Sequence, residues 1–366
     1  MMFRYEAFRD QELAQSLSRT LHQKVRHPVR FMEVCGTHTM SIFRYGLRDL
    51  FPSGLAMVSG PGCPVCVTSQ RDIDTAIAMS KMPGVILTTF GDLVRVPGTT
   101  SSLNSARANG AKVEIVYSPL DSLRIAKENP NQITVFLAIG FETTIPAVAA
   151  TVKEAERTGT QNICFFIMHK LMPPALKALL ADPELGIDGL LCPGHVSTII
   201  GMKAYEPIAK RFRIPCVIAG FEPADILKGL ILLSDQVNKG RAEVQNAYTR
   251  AVLPEGNKRA IETIYQVFEP SDASWRGLGT IPGSGLKFNT RYSNFDALKR
   301  LEVDIEDVPE PRGCLCGEIL KGKKTPPDCP LFAMRCTPLN PVGPCMVSNE
   351  GSCAAYFRYG IKNNGG

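Results

Sequence analysis

Residues 10 to 24 place leucines at 13, 17 and 21 in otherwise polar sequence, an i, i+4, i+8 stripe that predicts an amphipathic helix packed on another part of the fold. From about residue 29 the texture changes to short runs rich in β-branched residues, each closed by Gly, Pro or a small polar residue. Strands are predicted over 29–34, 85–90, 112–117, 132–139, 162–168, 187–191 and 214–219. Most of these runs are continuously apolar, as parallel strands covered on both faces should be. Helical patterns at 72–82, 144–157 and 174–180 lie between them. The alternation predicts an α/β architecture with parallel sheets.

A short echo points to two such units. Ala138-Ile139-Gly140-Phe141-Glu142-Thr143 and Ile218-Ala219-Gly220-Phe221-Glu222-Pro223 both put Gly-Phe-Glu directly after a strand. After about residue 280 regular patterning fades, and Pro and Gly become dense around cysteines. That tail reads as a small metal-stabilised module, because so short a segment with few large apolar residues needs a staple. At 366 residues and 44% hydrophobic content, the chain can bury two ordinary cores plus this appendage.

Charge narrows the function classes. A net charge of +6 is spread along the chain, and only Lys321, Lys323 and Lys324 form a tight basic group, so nucleic acid is not an expected partner. No apolar run approaches the ~20 residues of a membrane helix. The first ten residues contain no signal-peptide core, and a cytoplasmic location is expected. In a reducing compartment twelve cysteines point to thiolate ligands and redox pairs rather than structural disulfides.

Three cysteines fall at strand ends or turns with chemical company. Strand 29–34 runs into Cys35-Gly36-Thr37-His38-Thr39, which puts Cys35 at the carboxyl end of a parallel strand, where open α/β sheets hold ligands. A thiol three residues from an imidazole fits a metal ligand or an activated nucleophile, and equally a buried Cys beside a surface His. Cys63-Pro64-Val65-Cys66 follows in a Gly/Pro-rich turn, with Ser69 and Asp72 forming a capping-box pattern that opens a helix just after the pair. A helix N-terminus lowers thiol pKa, which suits a redox pair or transient metal binding; a share of a zinc site is the alternative. Glu142 in the first echo and His195 in Cys192-Pro193-Gly194-His195 also follow strands, where they fit an acid/base or a ligand-orienting group, or a solvated Glu and a turn His.

In the tail, Cys314, Cys329, Cys336 and Cys353 are separated by 14, 6 and 16 residues, with Cys316 and Cys345 as additional thiols. Four thiolates suit either tetrahedral zinc or a 4Fe-4S cluster, and spacing alone leaves both open.

Taken together and in this order, Cys35-Gly36-Thr37-His38, Gly60-Pro61-Gly62-Cys63-Pro64-Val65-Cys66, Gly140-Phe141-Glu142-Thr143-Thr144, Pro193-Gly194-His195-Val196 and the tail series resemble the HypD family of [NiFe]-hydrogenase maturation proteins over nearly the whole chain. The resemblance implies two similar parallel-sheet α/β domains facing across a cleft, plus a small irregular iron-sulfur domain. The expected segments are 30–125 for the first, 126–280 for the second with part of it able to return to the first, and 281–366 for the iron-sulfur domain packed with an N-terminal helix within 1–29. It also implies a redox-active assembly scaffold for the Fe(CN)2CO group of hydrogenase, rather than a turnover enzyme. On that resemblance Cys35 holds iron together with a HypC-type chaperone, with His38 beside it, and a HypE-type protein donates cyanide. Cys63 and Cys66 are the redox pair or further iron thiols, Cys314, Cys329, Cys336 and Cys353 hold the 4Fe-4S cluster, and Glu142 and His195 line the cleft. The rival reading is an iron-sulfur thiol-disulfide reductase; a zinc-binding interaction protein is a third.

Overall fold

The apolar runs pair as predicted, and helices cover their faces. This computed structural model describes residues 5–303, 305 and 311–360. Its strands are β1 Val29–Glu33, β2 Leu55–Ser59, β3 Val85–Thr89, β4 Lys112–Ile115, β5 Ile133–Ala138, β6 Ile163–Ile167, β7 Gly189–Pro193, β8 Cys216–Ala219, β9 Val244–Asn246, β10 Phe268–Trp275 and β11 Gly279–Phe288. One parallel sheet has the order β2-β1-β7-β8-β9 and a second has β4-β3-β5-β6. The seven predicted strands are all present. The α/β class with two parallel sheets is therefore as expected.

Sheet membership does not follow the linear boundary expected at 125/126. β3 and β4 fall within 30–125 but pair in the second sheet, and β7, β8 and β9 return to complete the first. Pairing is set by which apolar edges meet in space, which no local pattern records. The boundary at 280/281 also moves, because β10 and β11 form an antiparallel hairpin across it. Its outer positions are polar, so the run did not read as strand: β10 buries Phe268 and Trp275 at its ends and exposes most residues between them. After the hairpin, Tyr292 and Phe295 still belong to the core of the second sheet with Phe165 and Phe288.

The N-terminal helix spans Gln11–Lys24, capped by the Asp10 carboxylate, which accepts from Leu13 N–H. It buries Ala14, Ser18 and Leu21, half-buries Leu17 and leaves Leu13 exposed. It packs against the helix Pro223–Asn238 through the cluster of Leu21, Ile226, Leu230 and Leu233, on the outer face of the first sheet. The expected packing on the cysteine tail is thus corrected. The tail instead rests on the helix Gly36–Arg44 and on the short helix Pro64–Val67. A continuous core joins residues of both sheets to the tail cysteines. No helix among the described residues is long and apolar enough to cross a membrane.

Candidate functional site

Cys35 lies where β1 ends. Its backbone stays extended, at φ −150° and ψ 120°, as the N-cap of the helix Gly36–Arg44. The loop is held by close backbone contact: Gly36 N–H donates to Gly62 O at 3.0 Å. A Cβ on Gly62 would stand 2.3 Å from Cys35 N, and one on Gly36 would stand 2.5 Å from Glu350 Cβ. Glycine alone lets the Cys35 loop, the Cys63 turn and the tail converge here.

A small cavity of about 90 Å³ opens at this point, and its walls come from the carboxyl ends of both sheets. Cys35 and Thr37 follow β1, Phe141 follows β5, His195 follows β7, and Glu350 comes from the tail. Sequence reasoning brought Cys35 and His195 to one edge; the structure puts them in one cavity.

Two carboxylates, Glu350 in the cavity wall and Glu33 behind the Cys35 loop, escaped the sequence reading. Glu33, the last residue of β1, is buried and accepts from Cys35 N–H at 3.0 Å and from the Thr39 hydroxyl. Burial pushes its carboxyl up to about 8, against the pull of these bonds. A charged residue ending an apolar strand just before Cys35 was the signal for it. Glu350 accepts from the Thr37 hydroxyl at 2.6 Å, and burial raises its carboxyl. No local pattern marked Glu350, since only the fold brings it to Thr37. Burial first, and the charge of Glu350 second, push the Cys35 thiol up to about 12. Without a cation Cys35 is therefore protonated at neutral pH.

His38 is turned away into the protein. Its Nε2–H donates to Gly220 O at 2.9 Å and Ala219 O at 3.3 Å, while Nδ1 has no partner. Burial lowers its pKa to about 4, so the ring is neutral. The Phe221 ring lies between His38, at 4.8 Å, and the exposed His195, at 4.0 Å. The Gly-Phe-Glu echo is thus structural: Phe141 and Phe221 both stand at the site, one from each sheet. The two glutamates differ. Glu222 is ion-paired with Arg9 at 2.6 Å. Glu142 is buried, accepts from Met172 N–H at 2.8 Å, and keeps Oε2 without a partner. Burial pushes Glu142 up to about 7. Thr144 begins the helix Ile145–Arg157, but its hydroxyl donates back to Ile139 O and Phe141 O instead of capping the helix. Gly140 is needed for that fold-back, with φ +143° and the Thr144 hydroxyl where a Cβ would stand.

Cys63 and Cys66 form a disulfide, buried at the two ends of one helical turn. A separate helix, Gln70–Ser80, begins after them, and the Ser69 hydroxyl accepts from Asp72 N–H as the spacing predicted. As iron ligands, the pair would first have to be reduced. Cys164, Cys192 and Cys216 are strand residues within the core.

The tail thiols make a second cavity. Cys314, Cys316, Cys329, Cys336, Cys345 and Cys353 all line it, together with Ile319, Leu331, Phe332 and Met346, and its volume is only about 10 Å³. Cys316 and Cys345 place their sulfurs 2.8 Å apart, a pairing that sequence reasoning left unassigned. Burial raises the Cys353 thiol, and neighbouring thiols add to the effect. Among the described residues no three His, Cys, Asp or Glu side chains converge as the ligands of a single metal ion.

The whole-chain pattern has a counterpart in known proteins. A family model for HypD, described as "Hydrogenase formation hypA family", matches residues 11–360. The chain belongs to the HypD family. It is 45% identical over 364 residues to the hydrogenase maturation factor HypD of Azotobacter vinelandii, covering 97% of this chain and 96% of that one. It is 44% identical over 365 residues to the protein of that name in Cupriavidus necator, with 97% and 96% covered. Against the Escherichia coli HypD the identity is 43% over 362 residues, with 97% of both chains covered. Membership accounts for the co-occurrence of the cleft motifs and the tail series in one HypD-type chain.

Proposed function

We propose that this chain is a hydrogenase maturation factor on which the Fe(CN)2CO group is assembled, with iron held by Cys35 at the mouth of the cleft. The observation that carries the reading is the cavity where Cys35, His195, Phe141 and Glu350 meet from both sheets and the tail. A soft thiolate suits iron bearing strong-field cyanide and carbonyl ligands better than a carboxylate does. Because Cys35 is held protonated by its surroundings, iron binding displaces a proton, and uptake should rise with pH. Glu33 fixes the Cys35 amide and Gly62 keeps the loop in place, so the thiol is oriented before iron arrives. A HypC-type chaperone supplies the second thiolate and a HypE-type protein the cyanide.

The tail cavity supports a 4Fe-4S cluster over zinc. In such a cluster each thiolate binds its own iron, so sulfurs line a volume, whereas zinc needs four ligands about a point. The six cysteine side chains line one small cavity, and among the described residues no three of them converge on a single point. Cys314, Cys329, Cys336 and Cys353 are the assigned ligands, leaving Cys316 and Cys345 as a second dithiol pair. The cluster supplies electrons singly, and Cys63 with Cys66 stores them in pairs. Burial of that disulfide argues against the rival thiol-disulfide reductase, which must present its sulfurs to a protein substrate.

Anaerobic co-purification with the chaperone, followed by infrared spectroscopy, tests the reading. Cyanide and carbonyl bands should be present in the wild type and absent in Cys35→Ala; bands that persist in the variant would move the iron elsewhere. A colourless preparation containing zinc would remove the cluster.

A further inference from the structure

Arg276 occupies the turn between β10 and β11 and is almost wholly buried. Its backbone N–H donates to Val67 O at 2.8 Å, its Nε donates to Thr68 O at 3.0 Å, and its Nη1 donates to Gln70 Oε1 at 3.1 Å. These bonds clamp the guanidinium to the segment immediately after the Cys63–Cys66 disulfide. Nη2 has no partner. Among the described residues no carboxylate forms an ion pair with Arg276, and its only oxygen partners are neutral.

The same turn lies on the cysteine module. A Cβ on Gly277 would stand 2.2 Å from Gly317 Cα, so two glycines allow backbone to rest on backbone beside Cys316. A guanidinium taken out of water without an anion is strongly disfavoured, so this arrangement calls for a buried negative group nearby.

We propose that Arg276 is the counter-charge of the iron-sulfur centre and sets its reduction potential, standing between the six-cysteine cavity and the Cys63–Cys66 disulfide. The inference rests on the cluster reading given above. A 4Fe-4S core on four thiolates carries a charge of 2− when oxidised and 3− when reduced, so a fixed cation favours the reduced form. Two such electrons and two protons convert the disulfide to two thiols, with a low-potential one-electron donor as the source.

The test is a dithionite titration of the anaerobically purified full chain, followed by electron paramagnetic resonance, in wild type, Arg276→Gln and Arg276→Lys. At the wild-type midpoint the reduced-to-oxidised ratio should fall about tenfold in Arg276→Gln, equivalent to about 59 mV for a one-electron couple. Arg276→Lys, which keeps the charge, should stay within about threefold. An unchanged midpoint in Arg276→Gln at normal iron content would overturn the proposal, as would loss of the cluster from both variants, which makes Arg276 structural only. Absence of acid-labile sulfide from the wild type would instead overturn the cluster reading, and this inference with it.

Discussion

Around Cys35 the thiol is positioned by regular structure: a sheet end, a helix N-terminus, a carboxylate bound to its amide, and a glycine contact from the neighbouring loop. Around Cys329 and Cys336 there are only short turns, and the walls are Leu331, Phe332, Met346 and other sulfurs. The first arrangement is complete in protein atoms. The second gathers six thiols, five of them buried and Cys314 half-buried, with little regular structure to organise them. On the function proposed above, a site that accepts and releases iron would be built on the rigid scaffold, and a site that keeps its iron would be built into a module organised by it.

The largest expected effect exploits that difference. Cys336→Ser should strip most iron and sulfide from the protein and open 311–360 to limited proteolysis. Cys35→Ala should keep both and lose only about 1 kcal/mol of stability. Equal protease resistance in the two variants would erase the distinction. Next, Gly62→Ala forces a Cβ onto the Cys35 backbone, whereas Gly343→Ala meets the Cys314 sulfur at 2.8 Å, a side chain free to move. Urea midpoints should show a cost of about 3 kcal/mol for the first and about 1 kcal/mol for the second.

A pH series sharpens the comparison further. The Glu142 carboxyl is raised from 4.5 to about 7 by burial, so the folded state holds its proton more tightly than the unfolded chain. That contribution is fully present below pH 4.5 and is lost as pH rises to about 7. Relative to Glu142→Gln, the wild type should therefore lose stability across this window and run parallel above it. A constant difference across the window would contradict the raised carboxyl. The smallest effect is Ser69→Ala, which removes the cap of Gln70–Ser80 and should cost about 1 kcal/mol without changing iron content.

Six of the seven strands that sequence reasoning found are buried on both faces, because continuous apolar runs report burial directly; β4, exposed at three of its four residues, is the exception. β2 and β9 were missed, since β2 is largely half-buried or exposed beyond Leu55 and β9 is half-buried at each of its three residues. Cys35 was legible because it sits where an apolar run stops, and Cys63 and Cys66 because they form a Cys-x-x-Cys in a Gly/Pro-rich turn. His38 was expected beside Cys35 from the family resemblance, and no local pattern recorded that the helix turns its ring toward Gly220 O. Glu350 and Arg276 reach their places only through tertiary contact, and nothing within a few residues of either could have marked them.

The discontinuous strand order has a consequence for how the chain is made. β3 to β6 lie together between residues 85 and 167 and can pair as soon as they leave the ribosome. β1 and β2 emerge earlier, yet β1 gains its second neighbour only with β7, at residues 189–193. At about 5–20 residues per second the wait is on the order of ten seconds. The half of the molecule that carries Cys35 thus begins first and finishes later, with an open edge exposed during synthesis, which makes it the part of the nascent chain most in need of shelter by a chaperone.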